Sequence, residues 1–213
     1  MQTAISTTDA GTFWDRIAPK YAKKPVADPA AYAAKLSRVR ALLRAEDRVL
    51  EIGCGTGSTA LTLAPVVADI TATDISRKMI AIAEDKRAAA GVANAEFLQA
   101  DATEIFAEAP FDAVTAFSVL HLVDDLPAVL DAVFVQLRPG GFFLSKTVCL
   151  GDAHVGVRLF VRALGAVGIA PPVIVMRKAD LRRALVAAGF DIVESRYFGK
   201  GRLGPFIVAQ RPA

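Results

Sequence analysis

Val49-Leu50-Glu51-Ile52-Gly53-Cys54-Gly55-Thr56-Gly57-Ser58 decides the fold. A strand-forming run opens at Arg48, meets glycines at alternate positions, and gives way to a helical pattern. Strand, glycine turn and helix in succession begin a βαβ unit, whose strands pair in parallel. In open sheets of that kind, ligands bind beyond the carboxyl ends of the strands. Glycines there take up torsions closed to other residues and let a ligand approach the main chain. A nicotinamide dinucleotide calls for G-x-G-x-x-G, whose third glycine falls here on Ser58. The observed spacing is instead G-x-G-x-G, at Gly53, Gly55 and Gly57. Glu51 interrupts an otherwise apolar strand, and a buried acid needs a partner.

Outward from this segment the alternation continues. Upstream, Asp28-Pro29 starts a helix that sets Tyr32, Leu36, Val39, Leu42 and Leu43 on one face. Downstream, a helix over 58–64 is stopped by Pro65, and a strand over 69–73 ends at Asp74. Ser76 caps a helix that runs to Ala90, with Gly91 as its terminator. A short strand at 96–98 ends near Asp101, and an apolar strand covers 111–117. Asp124 or Asp125 opens a helix reaching Leu137; Arg138-Pro139-Gly140-Gly141 then turns the chain into a strand over 142–148. An irregular apolar stretch follows, then a helix over 178–188, then strands over 191–197 and 203–210 joined as a hairpin. The expected architecture is a doubly wound α/β fold with seven strands, mostly parallel, with an antiparallel strand in the C-terminal hairpin.

These features resemble the class I S-adenosylmethionine-dependent methyltransferases of small-molecule type, from about residue 46 to the end, and imply a Rossmann-like sheet. The segment from Leu50 to Gly57 is similar to that family's nucleoside-binding loop. Asp74 matches the acid that takes the ribose hydroxyls. Asp101, in Gln99-Ala100-Asp101-Ala102, matches the acid that accepts from the adenine amino group. Phe111-Asp112-Ala113-Val114 and Leu137-Arg138-Pro139-Gly140-Gly141 match the fourth-strand motif and the turn before the fifth strand. The resemblance implies S-adenosyl-L-methionine as cofactor. It implies contacts from Glu51 at the methionine end, from Gly53, Cys54, Gly55 and Gly57, and from Asp74, Ile75, Asp101, Ala102 and Phe117. Phe13-Trp14-Asp15-Arg16-Ile17-Ala18-Pro19-Lys20-Tyr21 resembles the lid of small-molecule members, with Tyr21 closing on the methionine end. Asp74 lies 17 residues after Gly57, near the reach of a ribose-binding acid. It is also placed to cap the helix at Ser76, and Asp101 to cap a turn.

Methyl transfer from a sulfonium needs the acceptor atom near the methyl and in line with it. An acidic acceptor proton invites a general base. His121, after the fourth strand, is the candidate, with a half-exposed helix position as the alternative; His154 is the remoter choice. Two histidines so far apart, without clustered acids, give no metal site. The stretch from Lys146 to Met176 lies where this family inserts substrate-recognition elements. Its apolar residues, with Arg158 and Arg162, suit a small aromatic or lipid-like acceptor, with or without an acidic group, or ordinary packing.

Hydrophobic residues make up 54% of the 213 and the mean hydropathy is +0.40. The most apolar run, from Val155 to Met176, is broken by Arg158, Arg162, Gly165, Gly168, Pro171 and Pro172, so it is no membrane span. The N-terminus lacks the pattern of a signal peptide, and two cysteines make no disulfide framework, so a cytoplasmic location is expected. The whole chain reads as one domain: a lid over 1–45, a cofactor core over 46–150 and a substrate side over 151–213. Net charge is +3, yet from Gly151 onward ten Lys/Arg face four Asp/Glu. That basic, apolar third permits peripheral membrane contact at a lipid or quinone-like head group. Nucleic acid is not expected: Phe117-Ser118-Val119-Leu120 replaces the tetrapeptide of base-amino methylases, and the overall charge is weak for a backbone binder. A binding module that keeps the fold without catalysis is the further alternative. Nothing in the sequence speaks to oligomeric state.

Overall fold

β1 (Arg48–Ile52) is the axis of the molecule, flanked on one side by β2 (Asp69–Asp74) and on the other by β4 (Phe111–Phe117). The computed structural model describes residues 7–171 and 173–213, with side chains from residue 11 on. Residues 1–6 of the expected lid and Pro172 lie outside the described residues. Seven strands form one sheet in the order β3-β2-β1-β4-β5-β7-β6. The others are β3 (Ala95–Gln99), β5 (Leu137–Lys146), β6 (Asp191–Arg196) and β7 (Phe206–Gln210). β7 runs antiparallel to both of its neighbours, β5 and β6. The mostly parallel sheet with a C-terminal hairpin strand is thus as the sequence implies.

The helices are α1 (Thr7–Ala22), α2 (Pro29–Arg40), α3 (Ser58–Leu63), α4 (Arg77–Ala90), α5 (Leu126–Gln136), α6 (Val155–Ala166) and α7 (Lys178–Ala187). Local chemistry sets several boundaries. Asp28 accepts the Ala31 amide at the start of α2, with Pro29 at its first position. Asp125 caps α5 and Ser76 caps α4, which Gly91 terminates in the left-handed region.

Strand alternation divides the core in two. Leu50, Ile52, Val114, Ala116 and Phe143 face α5 and α7. Val49, Ala113, Leu144 and Val208 face the layer that holds α2, α3 and α4. β1 is buried on both faces, so Glu51 is carried into the interior with its neighbours. Each fully buried Leu or Phe of these layers contributes roughly 1.5–3 kcal/mol.

Three expectations need correction. β5 begins at Leu137, not at 142, because Leu137 already pairs with Phe111 across a register shift. The supposedly irregular stretch after Val155 contains α6, a helix with no buried residue. The last two strands are shorter than expected, β6 ending at Arg196 and β7 beginning at Phe206.

Candidate active site

Strand order reverses between β1 and β4, and the crevice at such a switch point is where open α/β sheets hold ligands. Two cavities meet there. One, of about 540 Å³, lies above β2, β3 and β4 under Trp14 and Tyr21, and Asp74, Asp101 and Ser118 also line it. The other, of about 720 Å³, lies between α2, the glycine loop and the ends of β4 and β5. Tyr21, Gly53, Gly55, Phe117 and Ser118 line both.

The glycine loop has a specific geometry. Gly55 sits at φ +56, and a Cβ there would meet only Tyr21 Cε1 at 3.8 Å, so its open side faces the cavities. Gly57 sits at φ +73 and does different work. A Cβ on it would strike Phe97 at 2.7 Å and Ala83 at 2.8 Å, so it lets α3 close on the sheet.

Asp74 joins this loop to the start of α4. One carboxylate oxygen accepts the Gly55 amide and the other the Ser76 amide, each at 2.9 Å. Burial pushes its carboxyl upward, while these two amides pull it back. Asp101 accepts the amide and hydroxyl of Thr103 at 2.9 and 2.6 Å, so it does cap a turn at the cavity wall. Ser118 holds a positive φ of 62 at the end of β4 and donates its amide to the Lys146 carbonyl at 2.7 Å.

Glu51 is 2% exposed, and its Oε2 has no hydrogen-bond partner among the described residues. Burial raises its carboxyl to about 8, against the pull of Lys35 and the Ala60 amide. Lys35, on the facing side of α2, is 5% exposed and held down to about 8, again chiefly by burial. Its ammonium lies 3.7 Å from the Phe117 ring centroid and 4.9 Å from that of Tyr32.

Tyr21, Glu51, Gly53, Cys54, Gly55, Asp74, Ile75, Asp101, Ala102 and Phe117 all line one cavity or both. Gly57 and His121 line neither. The His121 imidazole is largely buried, its Nδ1 has no partner among the described residues, and burial lowers it to about 4. His154 caps α6 through Nδ1. Lys35 escaped the sequence reading, and Lys146 and Asp15 entered it only as members of longer stretches. Lys35 had a signal: it stands three residues after Tyr32 and four before Val39, a charge inside the apolar stripe of α2. Asp15 had none.

Residues 49–141 match the model of a methyltransferase domain. The ubiquinone biosynthesis O-methyltransferase of Xylella fastidiosa is 35% identical over 103 residues, which are 47% of this chain and 42% of that protein. The chain spans about two fifths of the length of the first curated relatives it matches. Among solved structures, the cyclase SpnF superposes with a TM-score of 0.79 at 20% identity, over 99% of this chain and 97% of that one. DhpI, solved as a complex with SAH, gives a TM-score of 0.75 at 23% identity, over 97% of each chain. These two likenesses concern the fold.

Proposed function

We propose that this chain, whose residues 49–141 match a methyltransferase domain, is a class I enzyme that transfers a methyl group from S-adenosylmethionine to a small, apolar or aromatic acceptor. Glu51 carries this reading: a buried carboxyl whose Oε2 awaits a donor, beside a glycine loop open to a ligand. That orphaned oxygen fits the ammonium of a methionine moiety. Asp74 would take ribose hydroxyls and Asp101 the adenine amino group, with Ile75, Ala102 and Phe117 as apolar walls.

When bound, S-adenosylmethionine supplies an electrophilic methyl group whose leaving group needs no proton. The protein's part is to hold the acceptor about 3–3.5 Å from that methyl and in line with it, where proximity contributes most. Phe117 and Ser118, shared by both cavities, stand where the two ligands would meet. Trp14 and Tyr21 of α1 cover that junction and limit water. No step falls to His121, which lines neither cavity. Unpaired Cys54 and Cys149 suit the reducing cytoplasm.

The test is transfer of a labelled methyl group from S-adenosylmethionine to a panel of aromatic and isoprenoid acceptors. Label in an acceptor supports the enzyme. Cofactor binding without turnover across the panel favours a binding module, a real contrast because the cyclase SpnF shares the fold.

α6 favours a second reading, the same chemistry at a membrane surface. Leu159 and Phe160 are 62% and 63% exposed, Val155, Val157, Val167 and Ile169 extend the apolar face, and Arg158 and Arg162 flank it. Such a helix lies in the headgroup region of anionic bilayers. No helix among the described residues is long and apolar enough to cross one. Salt-sensitive co-sedimentation with phosphatidylglycerol vesicles, lost in Leu159→Ser/Phe160→Ser, is its expected signature; no co-sedimentation at low salt refutes it.

A further inference from the structure

We propose that the larger cavity receives an aromatic acceptor bearing a carboxylate, held between the ammonium groups of Lys35 and Lys146. This rests on the methyltransferase reading of the adjoining cavity. Lys35 is deeply buried, yet its ammonium makes no hydrogen bond or ion pair among the described residues; the rings of Phe117 and Tyr32 are its close partners. A buried cation in contact with ring faces alone, with Glu51 near enough to feel its charge but not paired with it, is under-solvated, and an anion in reach would complete it.

Lys146 faces the same space from the end of β5, where it pairs in register with Phe117, and its charge bears on Lys35. Two ammonium groups turned toward one cavity repel each other unless an anion lies between them. The rest of the lining does not cancel them. Lys24, Lys86 and Lys200 add positive charge against two acids, Asp28 and Glu51. Asp28 is occupied in capping α2, and Glu51 makes no ion pair with Lys35. Lys86 is tied to Thr56 and Ser58, and Lys24 and Lys200 are exposed, which leaves Lys35 and Lys146 as the pair beside Phe117, where the two cavities join.

The walls supply the rest of the acceptor's description. Tyr32, Phe117 and Phe198 line the cavity, and Phe117 stacks on Phe206 behind it, so an aromatic ring finds faces on which to pack. A carboxylate on such a ring sets its charge between the two ammonium groups while the ring packs on the aromatic wall.

The test is calorimetric titration of the full chain, saturated with S-adenosylhomocysteine, with 4-hydroxybenzoate and with 4-hydroxybenzyl alcohol. The acid is expected to bind at least ~10-fold more tightly than the alcohol, the scale of one charge-assisted hydrogen bond. Lys146→Met, at a half-buried strand end, is expected to remove most of that preference and leave the alcohol unaffected. Lys35→Met is expected to do the same, with circular dichroism checking its fold; should it unfold, Lys146→Met decides. Equal affinity for acid and alcohol, no binding of the acid at millimolar concentration, or indifference to Lys146→Met overturns the assignment alone. Failure of S-adenosylhomocysteine to bind overturns the cofactor reading and this assignment with it.

Discussion

Ser76 donates its hydroxyl to Asp15 Oδ1 across 2.6 Å, so the helix that covers the cavities hangs from the N-terminus of α4. The Lys78 amide donates to the same oxygen at 2.9 Å, and the Ser76 hydroxyl oxygen accepts the Met79 amide at 3.1 Å. Asp15 is thereby an outside cap for α4, and its charge suits the positive end of that helix. Trp14, beside it in sequence, is set over the smaller cavity.

Asp15→Ala is therefore expected to free α1 without unfolding the sheet. The loss of a cap costs about 1 kcal/mol, so S-adenosylmethionine should bind several-fold more weakly, on the order of 5-fold, and proteases should cut the segment before α2 faster. Burial works to raise the Asp15 carboxyl, but the Ser76 hydroxyl, the Lys78 amide and the charges of Lys78 and Arg77 bring it below its ordinary 3.8. A depressed acid contributes its stability above the unfolded value and loses it as pH falls through the folded one. Protease resistance of α1 should thus be flat from about pH 5 to 8 and fail only in stronger acid. A change near neutrality would point to a different latch.

Glu51 should behave in the opposite sense. Its folded-state value, raised to about 8, means that it stabilises the free protein fully below 4.5 and loses that contribution as pH rises to about 8. Compared by urea unfolding, wild type should lose stability relative to Glu51→Gln across that window. Cofactor binding should also release a proton at pH 7 in wild type and not in Glu51→Gln, read from the dependence of binding enthalpy on buffer. A stability difference without pH dependence would contradict the account.

Two glycines two residues apart should fail in different ways. Gly57→Ala places a methyl 2.7 Å from the Phe97 ring at a positive φ, a clash of about 1–3 kcal/mol on top of backbone strain, and should lower Tm by several degrees. Gly55→Ala meets nothing closer than 3.8 Å, so it should cost only the roughly 1–2 kcal/mol of left-handed backbone. Its larger effect should be on cofactor affinity. Equal loss of Tm in both would mean that the loop is packing alone.

Why some of this was legible in sequence and some was not follows from where each feature gets its information. The strand, the glycine loop, Asp74 and the caps at Asp28, Ser76 and Asp125 are local patterns, set by torsion and hydrogen bonding within a few residues. The sheet order follows once strands alternate with helices. α6 was missed because Gly156 and Gly165 lie within it, Gly168 and Pro171 follow it, and its apolar side chains face outward, leaving no core periodicity to read. The start of β5 was missed because Arg138-Pro139-Gly140-Gly141 looks like a turn although Leu137, just before it, still pairs with Phe111. Tertiary meetings were beyond local reading. Asp15 reaches Ser76 across 61 residues, and Lys35 meets Phe117 only when α2 lies on the sheet.

The central claim is that this crevice binds S-adenosylmethionine through Asp74, and calorimetric titration of wild type and Asp74→Asn tests it most directly. Wild type should bind S-adenosylmethionine and S-adenosylhomocysteine in the micromolar range and ignore NADH. Asp74→Asn should bind both at least ~100-fold more weakly, since two charge-assisted hydrogen bonds are weakened together. Binding of NADH alone, or cofactor affinity untouched by Asp74→Asn, would contradict the account.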